Sequence, residues 1–249
     1  MKMERIILIE TSTALCSVAL AENGAVTSYR ESSAPKAHAS LTAVFIREVL
    51  AERGISLTDC DAVCVSMGPG SYTGLRVGVS TAKGLCFGSG KPLLAVGTLD
   101  TLVAQSADVE IPGQDGQDRH WKYIIPMIDA RRMEVYSAVF EIAGQANNDG
   151  TGVNEVRQIT ETSPVIVDES SFAEYLEQGP CLFIGDGAGK CTDVIKHPNA
   201  HFCQCNPKAS AMLGPAAKAY KEKRFEDVAY FEPFYLKEFV ATVSKKKMW

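Results

Sequence analysis

The sequence turns from a strand into a helix at Gly68-Pro69-Gly70-Ser71-Tyr72-Thr73-Gly74-Leu75-Arg76-Val77-Gly78. Three residues rather than two separate Gly70 from Gly74, so this turn does not match the dinucleotide-binding fingerprint. No Gly-Lys-Ser/Thr follows it, so it is not a phosphate-binding loop either. A second glycine-rich segment, at 185–190, fails the same test because Cys191 stands where a hydroxyl is required. The turn therefore predicts a close strand–helix junction without a nucleotide-binding motif.

The helix after this turn has two different faces. Leu75, Val79, Ala82 and Cys86 recur at helical spacing, and we expect them to face the sheet of their own lobe. The opposite side carries mostly small residues, namely Gly74, Val77, Gly78, Thr81, Gly84 and Gly88. Glycine costs about 1 kcal/mol per helical position relative to alanine, so its repetition indicates that another helix approaches closely. That helix belongs either to another subunit or to the same lobe, and the pattern alone leaves both interpretations open.

Strands and helices alternate on both sides of the turn. Asn23-Gly24 favours a tight hairpin, and Ser71 is placed to cap a helix that runs to about residue 88. Apolar periodicity predicts strands at 5–10, 15–21 and 25–30, a helix at 37–53, strands at 61–66 and 92–97, and a helix that opens at Thr98. The predicted order of the first half is therefore β-β-β-α-β-α-β-α.

The second half of the chain repeats the opening pattern after a Gly-, Asp- and Gln-rich segment at 106–121. An apolar strand that ends in Asp129 resembles the first strand, which ends in Glu10. Further elements are predicted at 135–142, 164–167 and 181–184 as strands, and at 171–178 and 209–224 as helices. This repetition predicts an α/β protein of two duplicated β-β-β-α-β-α-type lobes, the architecture of actin-like ATPases and sugar kinases. The predicted lobes are 1–105 and 106–249, where the helix at 209–224 could pack back on the first lobe and a tail follows.

Composition points to a soluble, acidic protein. Of 249 residues, 46% are hydrophobic and 22% are charged, and the net charge is -5. This balance provides no broad basic face for nucleic acid. The exception is Lys245-Lys246-Lys247, which is either a solvated terminus or a contact for RNA. No apolar run reaches the ~20 residues that a membrane helix needs, and Glu10 ends the first apolar run too early for a signal peptide, so we expect a cytoplasmic protein without membrane contacts.

The cysteines do not indicate disulfide bonds. Of the eight, Cys16, Cys64, Cys86 and Cys181 lie within apolar stretches, where cysteine behaves as a small hydrophobic residue. One cluster combines residue types that bind zinc, namely His197, His201, Cys203 and Cys205. Its spacing matches no common structural zinc site, so we interpret these residues as parts of a loop or strand.

Four segments together resemble the TsaB (YeaZ) family, part of a glycoprotease-like group. They are ILIETST at 7–13, GPGSYTGLRVG with VSTAKGL at 68–85, DARRMEVY at 129–136 and FYL at 234–236. The resemblance extends over nearly the whole chain. It implies a bacterial subunit of the machinery that installs threonylcarbamoyladenosine beside the anticodon of tRNAs reading codons that begin with A. Members pair with a catalytic paralogue, TsaD, and with an ATPase, TsaE.

The resemblance also implies that the chain has no catalytic or metal-binding residues of its own. Catalytic relatives carry Asn-His-x-x-x-His after the strand that follows the glycine-rich helix, whereas this chain has Thr98 and Leu102 at the two histidine positions. The segments at 10–13 and 129–132 lack the glycine that lets backbone amides approach a phosphate. Hydroxyl groups of Thr11, Ser12 and Thr13 could contact an anion or nucleotide weakly. We therefore expect no cofactor on this chain, and ATP and metal on the partner subunits.

The predicted function is that of an activating subunit that binds the catalytic paralogue, with an ATPase and tRNA joining the complex. The predicted interface consists of Leu41, Phe45, Gly74, Val77, Gly78, Thr81 and Gly84, on the helices at 37–53 and 72–88. Two such helix pairs would form a four-helix contact, and the isolated chain would use the same surface to form a homodimer. Gly78→Arg should then abolish pairing and leave the fold intact. Two alternatives remain: an autonomous actin-like ATPase or metallopeptidase, and a tRNA-binding subunit acting through the basic tail at 237–249.

Overall fold

The computed structural model describes residues 4–35, 37–109, 121–143 and 155–236. The basic tail at 237–249, with the predicted RNA contact at Lys245-Lys246-Lys247, lies outside these ranges. None of the helices within them is long and apolar enough to cross a bilayer.

The first sheet has five strands in the order β3-β2-β1-β4-β5. They are β1 (Arg5–Glu10), β2 (Cys16–Glu22), β3 (Ala25–Ser32), β4 (Ala62–Gly68) and β5 (Leu93–Gly97). β1, β2 and β3 pair in antiparallel fashion, whereas β4 is parallel to both β1 and β5. Asn23 and Gly24 both have positive φ, 52° and 79°, as the predicted hairpin between β2 and β3 requires.

The second sheet repeats this arrangement. Its main path is β10-β7-β6-β11-β12, and the pairing directions follow those of the first sheet position by position. Its strands are β6 (Tyr123–Asp129), β7 (Glu134–Ser137), β8 (Phe140–Ala143), β9 (Glu155–Gln158), β10 (Ser163–Ile166), β11 (Cys181–Gly185) and β12 (Ala200–Gln204). β8 and β9 form an extra hairpin beside β6. Since the two sheets share strand order and direction, the predicted two-lobed, duplicated actin-like fold is confirmed.

The helices occupy matching positions in the two halves. They are α1 (Ala37–Glu52), α2 (Tyr72–Ser89), α3 (Thr98–Gln105), α4 (Ala173–Leu176), α5 (Ala188–Cys191) and α6 (Leu213–Lys221). α1 and α2 pack on one face of the first sheet and form a core with Ile7, Ile9 and Val65. The Ser71 side chain accepts a hydrogen bond from the Gly74 amide and so caps α2, as the sequence predicts.

The two lobes exchange helices. α3 follows the first sheet in the chain, yet its Leu99 and Leu102 pack in the core of the second sheet with Ile124 and Ile128. α6 follows the second sheet, yet Ala216 and Ala219 pack in a core of the first sheet. Each sheet is therefore covered on one face by a helix from the other half of the chain.

Several predicted boundaries are wrong, each for a local reason. The strand predicted at 135–142 is two strands, because the chain leaves the ladder after Ser137 and the Val139 amide bonds to the Thr160 hydroxyl at 2.8 Å. The helix predicted at 171–178 has only the four residues of α4, since Phe172 adopts a φ of 63°. The helix predicted at 209–224 begins with a 3-10 turn, and α6 ends before Lys223, whose φ is 56°. β9, α5 and β12 are absent from the predicted elements.

After α6, residues 225–236 run across the first lobe as an irregular segment with a turn at 228–230, which we call the C-terminal strap. The Glu226 amide donates to the Leu93 carbonyl at 2.8 Å, and Lys83 Nζ donates to the Phe231 carbonyl at 3.0 Å. The Phe234 amide donates to the Met67 carbonyl at 2.7 Å, beside the glycine-rich turn. The strap therefore connects the edge strand β5 to the beginning of α2.

Candidate partner-docking surface

Glu10 ends β1 in a wholly buried position. Its Oε1 accepts hydrogen bonds from the Ser12 amide at 2.6 Å and from the Ser66 hydroxyl at 2.9 Å. Its Oε2 has no hydrogen-bond partner within the described ranges. Burial raises the pKa of this carboxyl to about 7, although these hydrogen bonds oppose the shift. Glu10 is thus enclosed by its own lobe rather than presented to a ligand.

Thr11, Ser12 and Thr13, predicted as weak anion contacts, are closed off by α2. Their exposed fractions are 0%, 0% and 4%. A Cβ added at Gly70 would overlap the Ser12 carbonyl oxygen, and one at Gly74 would overlap the Thr11 carbonyl oxygen. The glycine-rich turn therefore lies directly on this loop. The three hydroxyl groups are therefore buried in this structure, and none of them has a hydrogen-bond partner within the described ranges.

The corresponding carboxylates of the second lobe also contact groups of their own lobe. Asp129 ends β6 and forms an ion pair with Lys190 of α5. Asp186 follows β11, and its Oδ1 accepts a hydrogen bond from the Asp129 amide at 2.9 Å. Burial raises the pKa of Asp186 to about 6. Arg131 and Arg132, at the tip of this hairpin, both have positive φ, 69° and 51°.

The His197–Cys205 cluster does not form a metal site. Within the described ranges, no group of three or more histidine, cysteine, aspartate or glutamate side chains is placed to hold a metal ion. The His201 ring contacts Trp121 at 5.0 Å, and His197 Nδ1 accepts a hydrogen bond from the Asn199 amide. His201 and Cys203 belong to β12, which agrees with their interpretation as strand residues.

The side of α2 that was predicted to face the sheet is buried, but two residues that were predicted to contact the partner are buried as well. Leu75, Val79, Ala82 and Cys86 are buried as expected. Gly74 and Gly78 are also buried, and a Cβ at Gly78 would overlap the Thr11 hydroxyl. These two glycines accommodate the loop after β1 of the same chain, so their assignment to the partner surface is wrong. For the same reason we now expect Gly78→Arg to disturb the fold as well as any pairing.

The predicted contribution of α1 requires a similar correction. Phe45 is only 9% exposed and belongs to the core between α1 and the first sheet. Leu41 is half-buried and packs against the same core. Phe45 therefore stabilises the lobe, whereas Leu41 keeps part of its surface accessible.

What remains accessible is a continuous side of α2, which we call the α2 outer face. Val77 and Thr81 are half-buried, Gly84 is exposed, and a Cβ at Gly84 would meet no atom within 4 Å. Phe87 lies one turn beyond Gly84 and is 87% exposed. Our sequence analysis missed Phe87, although its spacing from Gly84 places it on this side. The face combines little steric bulk with one large exposed aromatic ring.

Comparison with known proteins identifies the family. A family model described as TsaD, tRNA N6-adenosine threonylcarbamoyltransferase, matches residues 31–245. The tRNA threonylcarbamoyladenosine biosynthesis protein TsaB of Escherichia coli is 33% identical over 95% of this chain and 96% of its own length. The Haemophilus influenzae protein of the same name is 29% identical over 93% of each chain. The chain belongs to the TsaB family.

Structural comparison agrees with this assignment at the level of the fold. The solved structure of YeaZ from Pseudomonas aeruginosa matches with a TM-score of 0.75 and 24% identity, over 94% of this chain and 100% of that one. Similarity to a catalytic transferase is more local: the tRNA N6-adenosine threonylcarbamoyltransferase of Jannaschia is 46% identical over 66 residues, 26% of this chain and 18% of its own. In this member of the TsaB family, Thr98 and Leu102 are both 0% exposed, and Leu102 packs in the core of the second sheet.

Proposed function

We propose that this chain is a non-catalytic subunit that binds and activates a TsaD-type catalytic paralogue. The complex would transfer a threonylcarbamoyl group to the adenosine beside the anticodon of tRNAs that read codons beginning with A. The observation that carries the proposal is the α2 outer face, where an 87%-exposed Phe87 adjoins the open position at Gly84 in a TsaB-family chain. Such a surface is typical of a helix that packs against a helix of another subunit.

The physical basis of docking is burial of Phe87 together with close backbone approach at Gly84. Complete burial of a phenylalanine side chain contributes up to about 3 kcal/mol. A partner helix can approach α2 closely over Gly84 because no side chain intervenes. With α1 packed beside α2 on each subunit, the contact would be a four-helix arrangement that includes Leu41, Val77 and Thr81. Without the catalytic paralogue, a second copy would occupy the same face and give a homodimer.

The closed loop at Thr11–Thr13 and the buried Thr98 and Leu102 support a non-catalytic role. An anion would have to displace α2 to reach the loop, and neither Thr98 nor Leu102 is a suitable metal ligand. We therefore assign no cofactor to this chain and place ATP and metal on the partners. A TsaE-type ATPase and tRNA would join the larger complex, in the cytoplasm.

The test is co-purification of the full-length chain with the TsaD-type paralogue from the same genome, followed by light scattering. We expect a one-to-one complex, and modification of tRNA with Mg-ATP, bicarbonate and threonine only when both subunits are present. Phe87→Asp and Gly84→Arg should each abolish the complex without lowering the thermal midpoint of the isolated chain.

Matched controls separate docking from a general effect of the substitutions. Ile166→Asp changes another exposed apolar residue, 76% exposed, on the second lobe. Gly214→Arg changes another helical glycine whose added Cβ would meet no atom within 4 Å. Both controls should retain the complex. Normal co-purification of the two α2 variants would refute the interface, whereas turnover or stoichiometric metal in the isolated chain would favour an autonomous enzyme.

A further inference from the structure

The thiol groups of this chain differ sharply in accessibility. All eight cysteines lie within the described ranges and are free; six are buried, whereas Cys203 and Cys205 are partly exposed. Thiol chemistry with a dissolved reagent is therefore concentrated on these two residues.

Cys203 and Cys205 lie side by side at the edge of the second sheet. β12 is the last strand of that sheet, and residues two apart along a strand point to the same face. Both cysteines line a cavity of about 570 Å³, together with Gln105 and with the charged Asp108 and Lys208. Burial, together with the charge and hydrogen bonding of the neighbouring Cys203 thiol, raises the pKa of the Cys205 thiol to about 12. The two sulfur atoms are thus close neighbours that share one opening to solvent.

We propose that Cys203 and Cys205 form a redox-active dithiol that closes to an intramolecular disulfide on exchange with a low-molecular-weight disulfide. One thiolate attacks a sulfur of glutathione disulfide, forms a mixed disulfide and releases one glutathione. The other cysteine then attacks the protein sulfur of that mixed disulfide and releases the second glutathione. The two cysteines lose two protons and two electrons, which reduce glutathione disulfide to the two released glutathione molecules.

Closing this bond requires a local movement. A strand rises 3.2–3.4 Å per residue, so Cα atoms two residues apart are separated by roughly 6.5 Å, near the upper limit of 4.4–6.8 Å for a disulfide. Cys205 lies just beyond the end of β12, and its amide still donates to the Gly185 carbonyl of β11 at 3.3 Å, a hydrogen bond that this movement must stretch. Oxidation should therefore draw Cys205 toward Cys203.

That movement acts on a connection between the lobes. Gln105, the last residue of α3, donates from Nε2 to Cys205 Sγ at 3.4 Å and to the Asn206 carbonyl at 3.1 Å. Its Oε1 accepts a hydrogen bond from the Lys208 amide at 3.0 Å. Gln105 thus holds the segment in which the chain returns from the second sheet to the first. Disulfide formation should weaken this contact and loosen residues 206–208.

The experiment treats the folded, full-length chain with glutathione disulfide, alkylates the remaining thiols and maps the peptides by mass spectrometry. We expect an intramolecular bond between Cys203 and Cys205 that dithiothreitol reverses. Cys203→Ser and Cys205→Ser should each stop at a mixed disulfide with glutathione, while Cys60→Ser should behave like the wild type. Amide hydrogen exchange at Asn206 and Lys208 should accelerate on oxidation, and Gln105→Ala should accelerate it without oxidant.

An intermolecular bond, a stable glutathione adduct on the wild type or no oxidation would each overturn the proposal. None of these results depends on a partner subunit, so failure here is distinguishable from failure of the proposed function.

Discussion

Glu10 is a titratable group whose folded-state pKa makes stability depend on pH. Burial raises that pKa to about 7, so the folded chain retains a proton that the unfolded chain loses near pH 4.5. Stability due to this group is therefore fully present below about pH 4.5 and is lost as the pH rises to about 7. The loss amounts to at most about 3 kcal/mol.

Glu10→Gln should remove this dependence. The amide oxygen can still accept from Ser12 and Ser66, and the NH₂ group replaces the unpartnered Oε2. We expect urea unfolding to show the variant more stable than the wild type at pH 8, with little difference at pH 4.5. Glu177→Gln, at an exposed position of the second lobe, is the control and should follow the wild-type curve. Parallel pH profiles for Glu10→Gln and the wild type would contradict the assignment.

Arg132 carries backbone strain at the tip of the β6–β7 hairpin. Its φ of 51° lies in the left-handed region, which costs an ordinary residue about 1–2 kcal/mol. Arg132→Gly should therefore raise the free energy of unfolding by about 1 kcal/mol, after allowance for the greater flexibility of unfolded glycine. Arg132→Ala removes the same charge without relieving the strain and should not stabilise the chain. Equal stabilisation by both substitutions would assign the effect to charge instead.

At the scale of the element, α2 provides a matched pair of glycines. A Cβ at Gly78 would overlap the Thr11 hydroxyl, whereas one at Gly84 would enter open space. Gly78→Ala should destabilise the isolated chain by about 1–3 kcal/mol, and Gly84→Ala should stabilise it by up to about 1 kcal/mol because alanine favours the helix. Thermal or urea unfolding of the two variants checks the signs, and the same sign for both would contradict the packing of α2 described above.

Gly78 and Gly84 also show how much of the packing of α2 can be predicted from its sequence. The apolar stripe of α2 was predictable because its period alone determines which side faces a sheet. The sequence could not show which glycines of α2 face the chain's own loop and which face outward. A loop of the same chain and a helix of another subunit both require a residue without a side chain. Phe45 illustrates a related limit: its hydrophobicity suits a core and an interface equally.

Elements of the second lobe were harder to predict because distant contacts determine them. The break after Ser137 depends on bonds to Pro126 and from Val139 to Thr160, which no local pattern indicates. β12 follows a short polar segment, and it becomes a strand by pairing with β11. The duplication of the two lobes, in contrast, was predictable because an apolar strand ending in a carboxylate occurs at the start of each half.

At the scale of the whole molecule, the exchange of α3 and α6 should make the two lobes unfold together. Ala216 of α6 is 0% exposed in the core of the first sheet. Ala216→Asp places an unpaired charge there and should lower the unfolding midpoint substantially. Since α6 follows the second sheet in the chain, hydrogen exchange should accelerate in both sheets. Faster exchange confined to the first sheet would show that the lobes unfold separately.

The exchange of helices also affects how the chain folds while it is being synthesised. When β5 leaves the ribosome, the face of the first sheet that α6 covers is still bare, because α6 begins only at Leu213. At ordinary rates of translation, the intervening residues take on the order of ten seconds to emerge. Throughout that interval the nascent chain exposes Leu94 and Val96, which are buried in the finished protein. Synthesis of this small protein thus includes a period of vulnerability to aggregation that ends only when α6 packs on the first sheet.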